Sequence, residues 1–435
     1  MIKTVSKTTN LKGEIIIPSD KSISHRAIML SSLANGKSVV SNLSLGADCI
    51  STLNLFKELG VNIEFISRNS ILIEGGELKP TSLNNIYPSV YPCIYPCGNS
   101  GTTMRLVSGI LAGENFDSIL VGDESLSKRP MKRIIDPLKL MGADISSMDG
   151  KAPLYIRGKI LHGIEYSSPI SSAQVKSCIL LAGANKRTEG KTIYRESSIS
   201  RNHTELMLKY LGANINIENN TTTIYPSELI AKDIEIVGDI SSAAFFIVAG
   251  LIVKGADIII KNVGINPTRT GILDVVKRMN GNVQILNERE ISGEKVADIR
   301  VQYTENLKSC EIAGEDIPKL IDELPVIAVL ASQAEGETVI RDAGDLRNKE
   351  TDRITCLVKE LRKIGVNITE KEDGFIVQGK CKLEGNALLE VYHDHRLAMS
   401  FFIAGLVCEK EIAINGFEWI NISFPEFEEL IMSLI

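Results

Sequence analysis

The feature that most constrains the fold is an internal repeat. One kind of segment is almost wholly apolar and ends near a small residue and glycine. It occurs as HRAIMLSSLANG (25–36), TTMRLVSGILAG (102–113), AQVKSCILLAG (173–183), SSAAFFIVAG (241–250), ELPVIAVLASQAEG (323–336) and DHRLAMSFFIAG (394–405). Each predicts a buried helix closed by a glycine C-cap. A second kind is amphipathic and runs into polar–apolar alternation. It occurs as NLFKELGVNIEF (54–65), DPLKLMGADI (136–145), MLKYLGANINI (207–217), VVKRMNGNVQI (275–285) and LVKELRKIGVNI (357–368). Here the glycine marks the helix end and the alternation marks a strand.

The two kinds alternate. Paired glycines stand at 36 and 60, 113 and 142, 183 and 212, 250 and 281, and 336 and 365, so the separations are 24, 29, 29, 31 and 29 residues. One unit is being reused. The sixth buried segment ends at Gly405, and its partner PEFEELIMSLI (425–435) stops before the expected strand. The N-terminal KGEIII is expected to supply it. Six βαβ-like units in 435 residues predict an α/β chain of two lobes, three units each. If the termini share a unit, one lobe is discontinuous. The expected division is residues 1–18 plus 231–435 in one lobe and 19–230 in the other. The crossings then fall near PSDKS (18–22) and within 225–240. A cleft between two lobes is a common ligand site.

The chain carries 48 Lys and Arg against 54 Asp and Glu, a net charge of −6, which argues against general nucleic-acid binding. No apolar run reaches the ~18–20 residues that span a bilayer, and the N-terminus lacks a signal-peptide pattern. A cytoplasmic protein is expected. The eight cysteines are scattered and read as buried, reduced thiols. Only YPCIYPC (91–97) brings two together, and no second Cys or His pair stands near enough to suggest zinc.

The chemistry sits in polar stretches just before the buried helices. PSDKSISHR (18–26) holds Lys21, Ser22, His25 and Arg26. CGNSGTTMR (97–105) holds Asn99, Gly101, Thr102 and Arg105. SSAQVKS (171–177) holds Ser171, Ser172, Gln174 and Lys176. GDISSAA (238–244) reads as plain capping. Asp322 and Glu323 precede the fifth segment, and His393, Asp394, His395 and Arg396 the sixth. Helix N-termini offer free N–H groups and the positive end of the dipole, so six such ends make an anion trap. GDESLSKRPMKRI (122–134) adds Lys128, Arg129, Lys132 and Arg133. ESSISRNHTE (196–205) adds Arg201 and His203, and LRNKETDRI (346–354) adds Lys349, Glu350, Asp352 and Arg353. In isolation, a charged run is usually a solvated face. Together the arginines suit phosphate and carboxylate groups, and carboxylates among them can transfer protons. There is no P-loop and no metalloprotease motif.

In this order, PSDKSISHR, CGNSGTTMR, GDESLSKRPM, SSAQVKS, SRNHTE, DELP, NKETDR, DHRLAMS and FPEF resemble the 5-enolpyruvylshikimate-3-phosphate synthase (3-phosphoshikimate 1-carboxyvinyltransferase) family along the whole chain. The resemblance implies a two-lobed inside-out α/β barrel of six βαβαββ units, three per lobe, with the active site in the cleft. It implies transfer of the enolpyruvyl group of phosphoenolpyruvate to the 5-hydroxyl of shikimate 3-phosphate, releasing phosphate, a shikimate-pathway step toward chorismate and the aromatic amino acids. Neither metal nor organic cofactor is implied, nor a nucleic-acid or membrane partner, and a monomer is expected.

By matching motifs, Lys21 contacts both substrates. Ser22, Arg26, Ser172, Ala173, Gln174 and Arg201 belong to the shikimate 3-phosphate side, with Asp322 and Lys349. Asn99, Gly101, Arg129, Gln174, Arg353, His395 and Arg396 line up with the phosphoenolpyruvate side, where the family inhibitor glyphosate is expected to bind. Asp322 is implied to take the proton of the 5-hydroxyl, Glu350 to serve protonation at C3, and His395 to orient Arg396. How Lys21, Asp322 and Glu350 divide the proton transfers stays open.

The chain departs from the family at Ile422, where many members carry lysine; Lys128 is one substitute cation. Leu106 follows Arg105 where some members have proline. The sister family acting on UDP-N-acetylglucosamine typically has a cysteine in the loop here written GDESLSKRP, and an asparagine where this chain has Ser22. A non-catalytic binding protein on the same repeats is a second rival, expected to lack Lys21, Asp322 or Glu350. All three are present.

Overall fold

The computed structural model describes residues 1–80 and 93–435. Tyr91 and Pro92 of the YPCIYPC stretch lie outside those residues. The described chain forms two compact units. One comprises Met1–Pro18, Gly238–Arg289 and Lys295–Ile435; the other comprises Ser19–Val237 with Glu290–Glu294.

Among the described residues, six sheets carry the repeat, three in each unit. In all five four-stranded sheets of the described residues the strands order alike. In one, Cys93–Pro96 runs parallel to Asp117–Val121, which is antiparallel to Lys151–Arg157, which is antiparallel to Asp144–Met148. The sheets of Glu165–Ser167, Ile234–Glu235 and Glu311–Ile312 repeat that plan. In the Cys93–Pro96 sheet the buried helix Gly101–Ala112 joins the first two strands, and the amphipathic helix Lys132–Leu140 leads into the hairpin of Asp144–Met148 and Lys151–Arg157.

The pattern of burial puts helices inside and sheets outside in each unit. Strands alternate, as in Lys151–Arg157, so each sheet buries one face and leaves the other wet. Tyr155 on its outer face is 48% exposed. The helix Ile240–Ile252 is instead buried on all sides: twelve of its thirteen residues are buried. A helix apolar all round needs partners all round, and the buried helices Leu324–Gln333 and His395–Gly405 with the strand Asp257–Gly264 provide them. In the unit that holds both termini, this gives one continuous core, from Val5 and Ile17 through Phe246, Leu330 and Phe402 to Phe427.

Two expectations need correction. KGEIII does not complete the last repeat. Its strand, Lys12–Ile16, runs parallel to Asp257–Gly264 and completes the fourth. The segment that joins the last sheet is Ile2–Val5, antiparallel to Ile412–Asn415. Only six residues separate the two strands, and neither shows a clear alternation, so periodicity alone could not assign them.

The glycines after the buried helices are mostly not C-caps. The first helix spans Lys21–Leu33 and is capped by Ala34. Gly183, Gly250 and Gly405 lie inside their helices. They are small because a neighbour is close: a Cβ on Gly250 would stand 2.9 Å from a methyl of Val301, and one on Gly405 2.8 Å from Val5. Glycine here buys close helix–sheet contact. The glycine of the second kind of segment behaves as expected at position 60, where φ is +86° just past the helix Ala47–Glu58.

Four cysteines, Cys49, Cys97, Cys178 and Cys408, are buried and four are half-buried, all as free thiols. Burial pushes the Cys49 thiol up to about 12, so it is inert at neutral pH.

Candidate active site

In the unit comprising Ser19–Val237, three buried helices begin alike. Asp20 caps Lys21–Leu33 by accepting from the Ile23 amide at 2.9 Å. Ser100 caps Gly101–Ala112 by accepting from the Thr103 amide at 3.1 Å, and Ser172 caps Ala173–Ala184 through the Val175 amide at 3.5 Å. Each cap satisfies one N–H and leaves others of the first turn for an anion.

Side chains tie these three ends together. Arg26 donates from Nη2 to Ser177 Oγ at 2.9 Å and from Nε to Thr204 Oγ1 at 2.6 Å, and holds the Ser22 carbonyl at 2.9 Å. Burial lowers the Arg26 pKa to about 10, which still leaves it charged. Arg201 also acts on it electrostatically. Arg105 donates to Gln174 Oε1 at 2.6 Å, and Gln174 donates in turn to Thr102 Oγ1 at 3.2 Å. Arg129 donates to Asn99 Oδ1 at 2.6 Å. A Cβ on Gly101 would come within 2.9 Å of Arg105 Nη1 and 3.5 Å of Arg129 Nη1. Bare backbone therefore lies against two guanidinium groups, which suits an anion needing both N–H and arginine donors.

Lys21 pairs with Asp48. Burial pushes the Asp48 carboxyl up, but Lys21, with His25 and Arg129, holds it below its ordinary value. His25 is not an anion ligand here. Its Nδ1 meets Thr52 Oγ1 at 2.7 Å, the ring is fully buried, and burial followed by the charge of Lys21 lowers its pKa to about 3. Lys128 is 71% exposed and pairs with Glu124, four residues before it, at 2.6 Å.

The other unit gathers a second set of predicted residues. Asp322 precedes the helix Leu324–Gln333, Lys349 and Glu350 precede Arg353–Lys363, and Asp394 caps His395–Gly405. Arg353, whose side chain is 2% exposed, is their hub. Its Nε donates to Asp394 Oδ2 at 2.7 Å, its Nη2 pairs with Glu350, and its Nη1 lies 3.6 Å from Asp322 Oδ1. Lys349 Nζ is 3.5 Å from the same Asp322 oxygen. Arg396 donates to the Asp322 carbonyl at 3.1 Å. Burial opposes ionisation of Glu350, yet Arg353, then His395 and Arg396, bring its pKa down to about 2. Burial, then Arg396, lowers His395 to about 4, so that ring is neutral. Ile422 ends the short turn Phe417–Ile422 and is 43% exposed.

Sequence reasoning assigned no role to three residues that these networks depend on. Arg105 and Asp394 both stood inside quoted motifs; their contacts with Gln174 and Arg353 are long-range and left no local signal. Asp48 lies in an unremarkable stretch, SLGADCI, and only the fold brings it to Lys21.

A family model described as EPSP synthase (3-phosphoshikimate 1-carboxyvinyltransferase) matches residues 5–431. The 3-phosphoshikimate 1-carboxyvinyltransferase of Thermoanaerobacter sp. (strain X514) is 49% identical over 425 residues, covering 97% of each chain. That of Petrotoga mobilis (strain DSM 10674 / SJ95) is 47% identical over 435 residues, covering 98% of each. The solved EPSP synthase from Acinetobacter baumannii superposes with a TM-score of 0.89 at 40% identity, over 100% of this chain and 98% of that one. The enolpyruvyl transferase NikO from Streptomyces tendae shares the fold at a TM-score of 0.78 with 16% identity, covering 100% of this chain and 97% of that one.

Proposed function

The chain belongs to the EPSP synthase family, and from that premise we propose that it transfers the enolpyruvyl group of phosphoenolpyruvate to the 5-hydroxyl of shikimate 3-phosphate. The hydroxyl oxygen bonds to C2 of phosphoenolpyruvate and loses its proton, while C3 gains one. The resulting tetrahedral intermediate then loses a proton from C3 and breaks its C2–O bond to phosphate. Protons and inorganic phosphate balance the reaction. It is a shikimate-pathway step in aromatic amino-acid biosynthesis. We place it in the cytoplasm, in a chain acting as a monomer.

In this reading Lys21 touches both substrates. Ser22, Arg26, Ser172, Ala173, Gln174, Arg201 and Lys349 hold shikimate 3-phosphate. Asn99, Gly101, Arg129, Gln174, Arg353 and Arg396 hold phosphoenolpyruvate, with neutral His395 packed beside Arg396. Asp322 takes the hydroxyl proton and Glu350 exchanges the proton of C3. The observation that carries this is the shared guanidinium: Asp322 and Glu350 both face Arg353. Arg353 keeps the Glu350 carboxylate ionised before substrate binds. The incoming phosphate and carboxylate of phosphoenolpyruvate compete for the same cations, which raises the pKa of Glu350 toward the range where it can carry a proton. Removing a positioned acid–base group typically costs 10²–10⁴-fold in rate, so Glu350→Gln is expected to lower kcat by roughly that factor. Solvent deuterium should then no longer enter C3. Full exchange in Glu350→Gln would take the role from this residue. Turnover with UDP-N-acetylglucosamine but not shikimate 3-phosphate would move the chain to the sister activity.

A further inference from the structure

Behind the Arg26 layer lies a buried charge cluster that the reaction as described does not use. Lys176 Nζ lies 2.7 Å from Glu196 Oε1 and 2.8 Å from Glu205 Oε1, and donates to the Ser200 carbonyl at 3.1 Å. The three side chains are 3%, 4% and 1% exposed. Burying two carboxylates against one ammonium is expensive unless something requires the arrangement. Replacing such a cluster with apolar residues is often neutral or stabilising, so stability is a weak reason for it.

Its connections point to a reason. Glu196 accepts from the Ser200 amide at 3.0 Å and from Ser200 Oγ at 2.7 Å, closing the bend 196–200 directly before Arg201. The same segment is stitched to the start of the helix Ala173–Ala184, where Ser171 Oγ accepts from the Ser198 amide at 3.0 Å. Glu205 follows Thr204, whose hydroxyl accepts from Arg26 Nε and meets Ser177 Oγ at 2.6 Å. One ammonium thus fixes the segment that carries Arg201 and the helix that positions Arg26. It also occupies Glu205, a carboxylate that acts electrostatically on Arg26.

We propose that Lys176, through Glu196 and Glu205, is a positioning residue for the shikimate 3-phosphate side, holding Arg201 and Arg26 for the phosphate. The proposal rests on the assignment of shikimate 3-phosphate to those two arginines. It deepens that assignment by naming what keeps them aligned.

The test is a set of variants assayed with both substrates varied. Lys176→Met is expected to raise KM for shikimate 3-phosphate about tenfold, leaving kcat and KM for phosphoenolpyruvate within about threefold. A residue that only supports the fold would not split the two KM values. In an Arg201→Ala background the same change is expected to add clearly less than its tenfold effect in the unaltered protein, because one of the two arginines that Lys176 holds is already gone. Equal effects on both KM values, or effects that multiply with Arg201→Ala, would overturn the proposal. If Lys176→Met does not fold, Glu196→Gln keeps the shape and removes one charge; it is expected to raise KM for shikimate 3-phosphate two- to fivefold, and no change there would also overturn it. Calorimetric titration of the unaltered protein separates the two levels. No binding of shikimate 3-phosphate would sink the underlying reading, whereas normal binding that the variants leave untouched would sink the positioning role alone.

Discussion

Arg353 donates from Nε to Asp394 Oδ2 at 2.7 Å, and the two side chains are 2% and 0% exposed. Asp394 also caps the helix His395–Gly405, accepting from the Arg396 amide at 2.8 Å. One carboxylate therefore fixes an arginine and the first turn of the helix that carries Arg396. Losing one partner of a buried pair typically costs about 3–5 kcal/mol, and an N-cap about 0.5–2 kcal/mol. Asp394→Ala is expected to lose stability on that scale by denaturant unfolding. Asp394→Asn, which retains the cap, is expected to lose less and to raise KM for phosphoenolpyruvate selectively.

Gly109 sits where the helices Gly101–Ala112 and Ala173–Ala184 touch, and a Cβ there would stand 2.1 Å from the Cys178 carbonyl oxygen. That oxygen is backbone, so the helices must separate. Alanine gains about 1 kcal/mol of helix propensity over glycine, far too little to offset the overlap. Gly109→Ala should lower Tm by at least about 5 °C. It should also raise both KM values, because Thr102 and Gln174 meet across the same pair of helices. A Tm at or above that of the unaltered protein would show that the contact is soft.

Stability should fall on the acid side of neutrality. Burial holds His25 at about 3 and His395 at about 4, both below the ordinary value of 6.5. As pH drops below 6.5, the unfolded chain binds protons that the folded chain refuses, so unfolding becomes easier. Each group contributes up to about 1.4 kcal/mol per pH unit across that window. The loss from His395 stops near pH 4 and that from His25 near pH 3. Glu350 works in the same direction lower down: it stays ionised to about 2, so its contribution is lost between pH 4.5 and 2. His25→Gln is expected to flatten the dependence of unfolding free energy on pH between 6 and 4 by about 1 kcal/mol per unit. An unchanged slope would mean that His25 is protonated in the folded state.

The repeat was legible because periodicity reports which face is buried, and burial is what the units share. The N-terminal exchange of strands was not, since Ile2–Val5 and Lys12–Ile16 are both short, close in sequence and competent to pair. Glycine was legible where a left-handed turn requires it, as at Gly60, and misread at Gly250 and Gly405, where the demand comes from distant Val301 and Val5. At the candidate site, cations grouped in short motifs stood out. Asp48 and Asp394 did not, because a carboxylate's importance there depends on Lys21 or Arg353 arriving from elsewhere in the chain. His25 looked like an anion donor beside Lys21 and Arg26; only helical geometry turns it inward to Thr52.

The measurement that bears most directly on the central claim is phosphate release with shikimate 3-phosphate and phosphoenolpyruvate, run beside Lys21→Met and Asp322→Ala. The account predicts release that requires both substrates and falls at least about a hundredfold in each variant. Release from phosphoenolpyruvate alone, or undiminished turnover in Asp322→Ala, would contradict it.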